Sequence, residues 1–240
     1  EALKRDPEFV FAVFPAIDEY AHLSSPFHPR TIEAYQKGGF ASLVLEGKQA
    51  FVEGYAFGSA FWQSRTIADA PEVAAQLKTT QKDLAEYFHA KAQKEKKIED
   101  YTAAARWYRA MLDSFPQDPE APATRYLLGE VLFESQRYAE AAREYERTAY
   151  DYPLHAKSSA AGYAALVAYQ RHEPSLTGES KNLWHRQYIE SSLMFATSFP
   201  EHAESARVLT KSDEELFALN EFDRVIEVSK QILERNPPVD

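Results

Sequence analysis

The chain has 240 residues, 45% hydrophobic and 27% charged, enough to bury a sizeable core without disulfide staples. Its 37 acidic and 27 basic residues give a net charge of −10, which excludes nucleic acid and anionic lipid as main ligands because both need a basic face. With no cysteine, disulfides, thiolate nucleophiles and the common structural zinc sites are excluded, while cytoplasm and periplasm both stay open.

No run of residues approaches the ~20 apolar positions of a membrane span, so no direct membrane insertion by this chain is expected. The chain opens Glu1-Ala2-Leu3-Lys4 and closes Asn236-Pro237-Pro238-Val239-Asp240. These ends suggest a processed piece of a longer protein. Good helix formers are plentiful and only 8 Gly are present, so the expectation is an all-α chain.

In chain order, Phe9 to Tyr20 reads as the second helix of an early hairpin, with Pro15 as a candidate break. Thr31 to Tyr35 then reads as a first helix, Gly38-Gly39 as a turn and Phe40 to Phe51 as a second helix. Phe51-Val52-Glu53-Gly54-Tyr55 looks like a degenerate hairpin ending. The aromatic stretch Tyr55 to Trp62 is either a packed connector or an exposed patch for a partner. Residues 1–80 are thus read as a degenerate helical-hairpin region and 81–240 as a regular array.

Within that array Tyr101 and Tyr138, Ala104 and Ala141, Tyr108 and Tyr145, and Pro116 and Pro153 each stand 37 residues apart. Phe199-Pro200 repeats the aromatic-proline ending, and Pro237 follows 37 residues later. The copies run at about 85–116, 122–153, 157–200 and 206–237. In the clearest one, Ala123 to Ser135 is the first helix, with Leu128, Val131 and Leu132 on one stripe. Gln136-Arg137 is the turn, and Tyr138, Ala141, Ala142, Tyr145 and Ala149 line the second helix. Gly129 and Ala141 are small where two helices must approach closely. Between Pro153 and Pro200 the spacing grows to 47, and the ten extra residues are placed in an insertion loop at 171–180, where Pro174, Gly178 and Ser180 punctuate.

Leu128-Gly129, Leu132, Ala141, Tyr145 and Pro153 resemble the tetratricopeptide repeat pattern. The copy at 85–116 has Lys91-Ala92 in place of Leu-Gly, and the last has Val225 and Ser229 at the Ala and aromatic positions. The Phe-Pro and Tyr-Pro punctuation looks like the subgroup found in bacterial envelope proteins, of the outer-membrane β-barrel assembly lipoprotein and periplasmic cell-division coordinator type. The resemblance implies an α-solenoid, a right-handed superhelix of helical hairpins, located in the periplasm or cell envelope. It also implies a non-catalytic scaffold that binds a protein or peptide in a concave groove lined by first helices. Carried over by frame, that groove holds His89, Gln93 and Lys96; Tyr126, Glu130 and Phe133; Tyr163, Val167 and Gln170; and Arg207, Thr210 and Glu214. Two other roles fit the same repeats: an architectural spacer or self-association module, and a helical accessory domain of a murein-acting enzyme.

No catalytic motif is found. His22, His28, His89, His155, His172, His185 and His202 form no zinc-type pair, and no phosphate loop, dinucleotide fingerprint or nucleophile elbow occurs. The acidic pairs Glu144/Glu146 and Glu214-Glu215 are what a charged helix face produces. Trp62, Trp107 and Trp184 are expected in the core. No cofactor and no metal are expected.

Overall fold

A computed structural model describes residues 29–235. The helix expected at Phe9 to Tyr20, His22, His28 and Pro237 lie outside them. The described residues form ten α-helices: α1 Pro29–Gly38, α2 Ala41–Tyr55, α3 Pro71–Glu95, α4 Ile98–Ser114, α5 Ala121–Glu134, α6 Tyr138–Tyr150, α7 Ser158–His172, α8 Gly178–Ser198, α9 Ser205–Ala218 and α10 Phe222–Arg235. Each packs mainly on its neighbours in sequence, as a succession of hairpins. The chain divides into two compact units, one ending at Asp118 and the other starting at Pro119. The boundary suggested at residues 80 and 81 falls inside the unbroken helix α3.

In the first unit α1 and α2 form a hairpin around Gly39, and Ile32, Tyr35, Phe51 and Val52 are buried. Phe51–Tyr55 is the last part of α2, which ends at Tyr55; Phe51 and Val52 are buried. The connector after it packs as an aromatic knot. Trp62 Nε1 donates to the Tyr55 carbonyl at 2.7 Å, and the Phe57 ring meets Trp62 at 5.0 Å and Phe115 at 5.4 Å. Helix α3 is much longer than a repeat helix, at 25 residues, and starts with Pro71 in its first turn, where the missing N–H costs nothing. Lys48 on α2 pairs with Asp83 on α3, and Lys91 on α3 with Asp100 on α4 at 2.7 Å.

The second unit holds three hairpins, α5–α6, α7–α8 and α9–α10. Gly129 of α5 lies under the Tyr145 ring of α6, and a Cβ there would stand 2.6 Å from two ring carbons. Only hydrogen fits. By the same frame the positions of Gly129 and Tyr145 are taken in α7–α8 by Leu166 and Ser192, both buried, with the large and small residues exchanged. One large partner per pair keeps the interior at close-packed density. Gly162 of α7 serves a second close approach, beneath Phe195, Phe199 and the Tyr150 hydroxyl.

All five hairpin connections put one residue in the left-handed region: Gly39, Lys96, Gln136, Gly178 and Asn220, with φ between 55° and 76°. Around Gln136 the Arg137 N–H donates to the Leu132 carbonyl at 2.8 Å and the Gln136 N–H to the Phe133 carbonyl at 2.9 Å. Asn220 and Glu221 make the same two bonds to Phe217 and Leu216. These are Schellman endings, which satisfy the last carbonyls of a helix.

The insertion expected as a loop over 171–180 is mostly helical. Arg171 and His172 finish α7, Glu173–Ser175 form one 3₁₀ turn, and α8 begins at Gly178. The extra residues lengthen α8 to 21 residues, against 13 in α6. Trp184 on this added length donates to the Tyr169 carbonyl at 3.0 Å and packs its ring, tilted, 4.6 Å from the Tyr169 ring, which anchors the longer helix on α7.

Candidate protein-interaction surface

The repeat frame puts His89, Gln93 and Lys96 on the inner, groove-lining face of the copy at 85–116. His89 is instead buried, with Nδ1 3.0 Å from the Tyr108 hydroxyl and Nε2 3.2 Å from Gln93 Nε2. It is a packed histidine that joins α3 to α4. Gln93 is exposed, and Lys96 is the exposed left-handed residue that ends α3. This trio does not form a common surface. The first unit has a different hollow of about 360 Å³, between α2, α3 and the α1–α2 turn, lined by Tyr35, Phe40, Val44, Leu45, Leu84 and Tyr87 among others.

In the second unit, four of the nine frame-selected residues converge. Tyr126 and Phe133 of α5 and Tyr163 and Val167 of α7 line a hollow of about 390 Å³, together with Tyr145, Ala160, Ala164 and His202. Helical spacing explains the set: 126 and 133 differ by two turns, and 160, 163, 164 and 167 form one stripe of α7. Each aromatic is fixed from behind. Tyr126 sits 5.6 Å from the Tyr145 ring, Phe133 5.1 Å from Tyr138, and Tyr163 5.5 Å from His202 and 5.9 Å from Phe195.

Tyr163 and Val167 also line a narrower adjoining cleft with Gln170, Tyr188, Arg207 and Lys211. Gln170 Nε2 donates to the Tyr188 hydroxyl at 2.8 Å, and Arg207 reaches the Tyr163 hydroxyl at 3.3 Å while pairing with Glu204. Thr210 and Glu214 are exposed on α9 and line neither recess; the Thr210 hydroxyl bonds back to the Ala206 carbonyl at 3.1 Å.

The electrostatics of the hollow are mixed. Lys157 Nζ lies 4.9 Å from the centre of the Tyr126 ring, an arrangement attractive through the ring quadrupole. Glu130 is half-buried, and desolvation raises its carboxyl above the ordinary range, with Lys157 opposing and Glu134 adding to the rise. Burial likewise pushes up the hydroxyls of Tyr126 and Tyr145, which stay neutral donors. The site therefore offers an apolar floor, aromatic walls and a few polar groups at its edge, as recognition pockets do.

Ala160, Ala164, His202 and Tyr188 were not foreseen as surface residues. The alanines were readable in principle as the i−3 and i+1 neighbours of Tyr163, whereas His202 arrives from the α8–α9 connection and carries no helical signal. Among the described residues no group of three or more His, Asp or Glu side chains could hold a metal ion, and no helix is long and apolar enough to cross a membrane. Compared with known proteins, the sequence matches no family model and no curated protein.

Proposed function

We propose that this chain is a non-catalytic scaffold of tetratricopeptide type that holds a protein or peptide partner on the concave side of its second unit. The observation that carries this is the hollow of about 390 Å³ walled by Tyr126, Phe133 and Tyr163, aromatics held at fixed positions by their neighbours. Rigid aromatic anchors in a water-excluding recess are the usual seat of binding energy between proteins. A hollow of this size accepts one large apolar side chain of a partner, with Lys157 beside Tyr126 to meet its backbone carbonyls or acidic groups. The right-handed superhelix, the bacterial envelope and outer-membrane assembly belong to the same proposal. They rest on the Leu-Gly, Ala, aromatic and Pro frame at 128–153 and on the Phe-Pro endings.

The test fills the hollow instead of dismantling it. Ala160 is exposed and lies on a helix, so Ala160→Trp adds bulk at the rim with little cost to the fold. Affinity capture from an envelope extract, with wild type and Ala160→Trp as baits, is expected to recover one partner that the variant loses at least tenfold. Tyr126→Ala with Phe133→Ala should lose the same partner while helicity persists. Equal recovery on all folded baits would remove the hollow as the binding site.

A further inference from the structure

The hollow of the second unit is lopsided in its hydrogen-bonding groups. Its lining is aromatic and aliphatic apart from the hydroxyls of Tyr126, Tyr145 and Tyr163 and the ring of His202, and no carboxylate, amide, Ser or Thr side chain lines it. Tyr145 is only 4% exposed, yet its hydroxyl, like that of Tyr126, makes no hydrogen bond among the described residues. Burial keeps both phenols protonated, so each has a hydrogen to give. The Tyr163 oxygen already accepts from Arg207 at 3.3 Å. The Glu204 N–H donates to His202 Nδ1 at 3.2 Å, so the neutral ring carries its hydrogen on Nε2. Lys157 adds ammonium donors beside Tyr126. Phenol oxygens are the only acceptors left, and the balance is toward donors.

That balance discriminates between kinds of partner chain. An α-helix satisfies its own carbonyls, so it would cover the donors and offer them nothing. An ordinary extended segment brings carbonyls, but also one N–H per residue, and those turned inward would meet few acceptors. A proline-rich segment brings carbonyls without N–H groups, in a polyproline II helix that makes no internal hydrogen bonds. Its rings also pack well on aromatic faces. The spacing of the walls agrees. Tyr126 and Phe133 are seven residues apart on α5, a rise of about 10.5 Å. Prolines three residues apart in polyproline II lie on one side, about 9.3 Å from each other.

We infer that the segment held in this hollow is proline-rich and in the polyproline II conformation, with two prolines three residues apart against Tyr126 and Phe133 and its carbonyls accepting from Tyr126, Tyr145 and His202. The two small rings fill the room of one large side chain. This rests on the hollow being the binding site and adds the chemistry of its occupant.

The test is fluorescence anisotropy with the full chain and a labelled peptide of ten prolines, capped at both ends, at protein concentrations up to about 1 mM, which reaches weak specific binding. Two labelled controls of equal length are an Ala-rich helical peptide and an alternating Leu-Ser peptide. Saturable binding of the proline probe, at least tenfold tighter than either control, is expected, and Ala160→Trp should abolish it. Tyr126→Phe with Tyr145→Phe removes two donors and keeps both rings, so it should weaken the proline probe about tenfold with unchanged melting. A proline probe that does not bind, binds no better than the controls, survives Ala160→Trp or ignores the double Phe exchange overturns the inference. If the proline probe fails while Ala160→Trp still loses its partner from the extract, the hollow remains a binding site for a segment of other chemistry and this inference alone falls.

Discussion

Hairpins α5–α6 and α9–α10 have nearly equal helix lengths, the same left-handed turn and the same pair of Schellman bonds, yet their interiors differ. Where Tyr145 covers Gly129 in the first, the frame puts Ser229 opposite Asp213 in the second. Two buried residues in contact are replaced by one hydrogen bond. Helix α6 buries Ala141, Ala142, Tyr145, Thr148 and Ala149, whereas α10 buries Val228 alone. Backbone geometry is therefore enough to shape a hairpin, and side-chain packing against the next element is what makes one stable.

The comparison can be broken most sharply at its tightest contact. Gly129→Val is expected to cost about 3 kcal/mol, because Tyr145 cannot retreat from a Cβ at 2.6 Å without disturbing α6. Asp213→Val at the equivalent place should lose about 1 kcal/mol, the worth of one hydrogen bond. Urea midpoints of the two variants measure the difference, and equal losses would sink the account.

The shared turn gives a smaller effect of opposite sign. Gln136 and Asn220 hold φ of 63° and 60°, a region that Gly enters without steric cost and Asn more easily than Gln. Gln136→Gly should stabilise by about 1 kcal/mol and Asn220→Gly by roughly a few tenths, read in the same denaturation series.

The smallest change is a pH dependence. Burial holds the Glu130 carboxyl above its ordinary 4.5 in the folded state, so over the interval above that value the folded chain keeps a proton that the unfolded chain has released. Stability contributed by the protonated form is lost as pH rises through that interval. Glu130→Gln should therefore gain on the wild type as pH climbs from about 4 to neutral. A gap that does not vary with pH would count against burial as the cause.

Much of the hairpin succession was legible because the repeat places Tyr, Ala and Pro where close packing needs them. Tyr138 and Tyr145 were assigned from spacing alone, and α6 starts at Tyr138. Other features had no local signature. Lys96 and Gln136 are ordinary helix formers whose left-handed conformation is imposed by the hairpin closing around them. His89 reads as a polar residue, and its burial depends on a Tyr108 hydroxyl 19 residues away. Pro174 and Gly178 read as loop punctuation, but helix resumes at Gly178 because Trp184 finds its partner on Tyr169. Of the candidate surface, Tyr126, Phe133, Tyr163 and Val167 were identifiable from the frame, while the walls contributed by His202 and Tyr145 needed the tertiary packing.

Because each helix rests mainly on its neighbours in sequence, little chain has to be looped out before a contact forms. Such a topology has low contact order, and low contact order goes with fast folding. Each unit can begin from any well-packed hairpin and grow outward by docking the next, and α5–α6 is the natural seed in the second. Damage spreads by the same rule. Melting one hairpin uncovers a helix face of its neighbour within the same unit and leaves the pairs beyond it in contact.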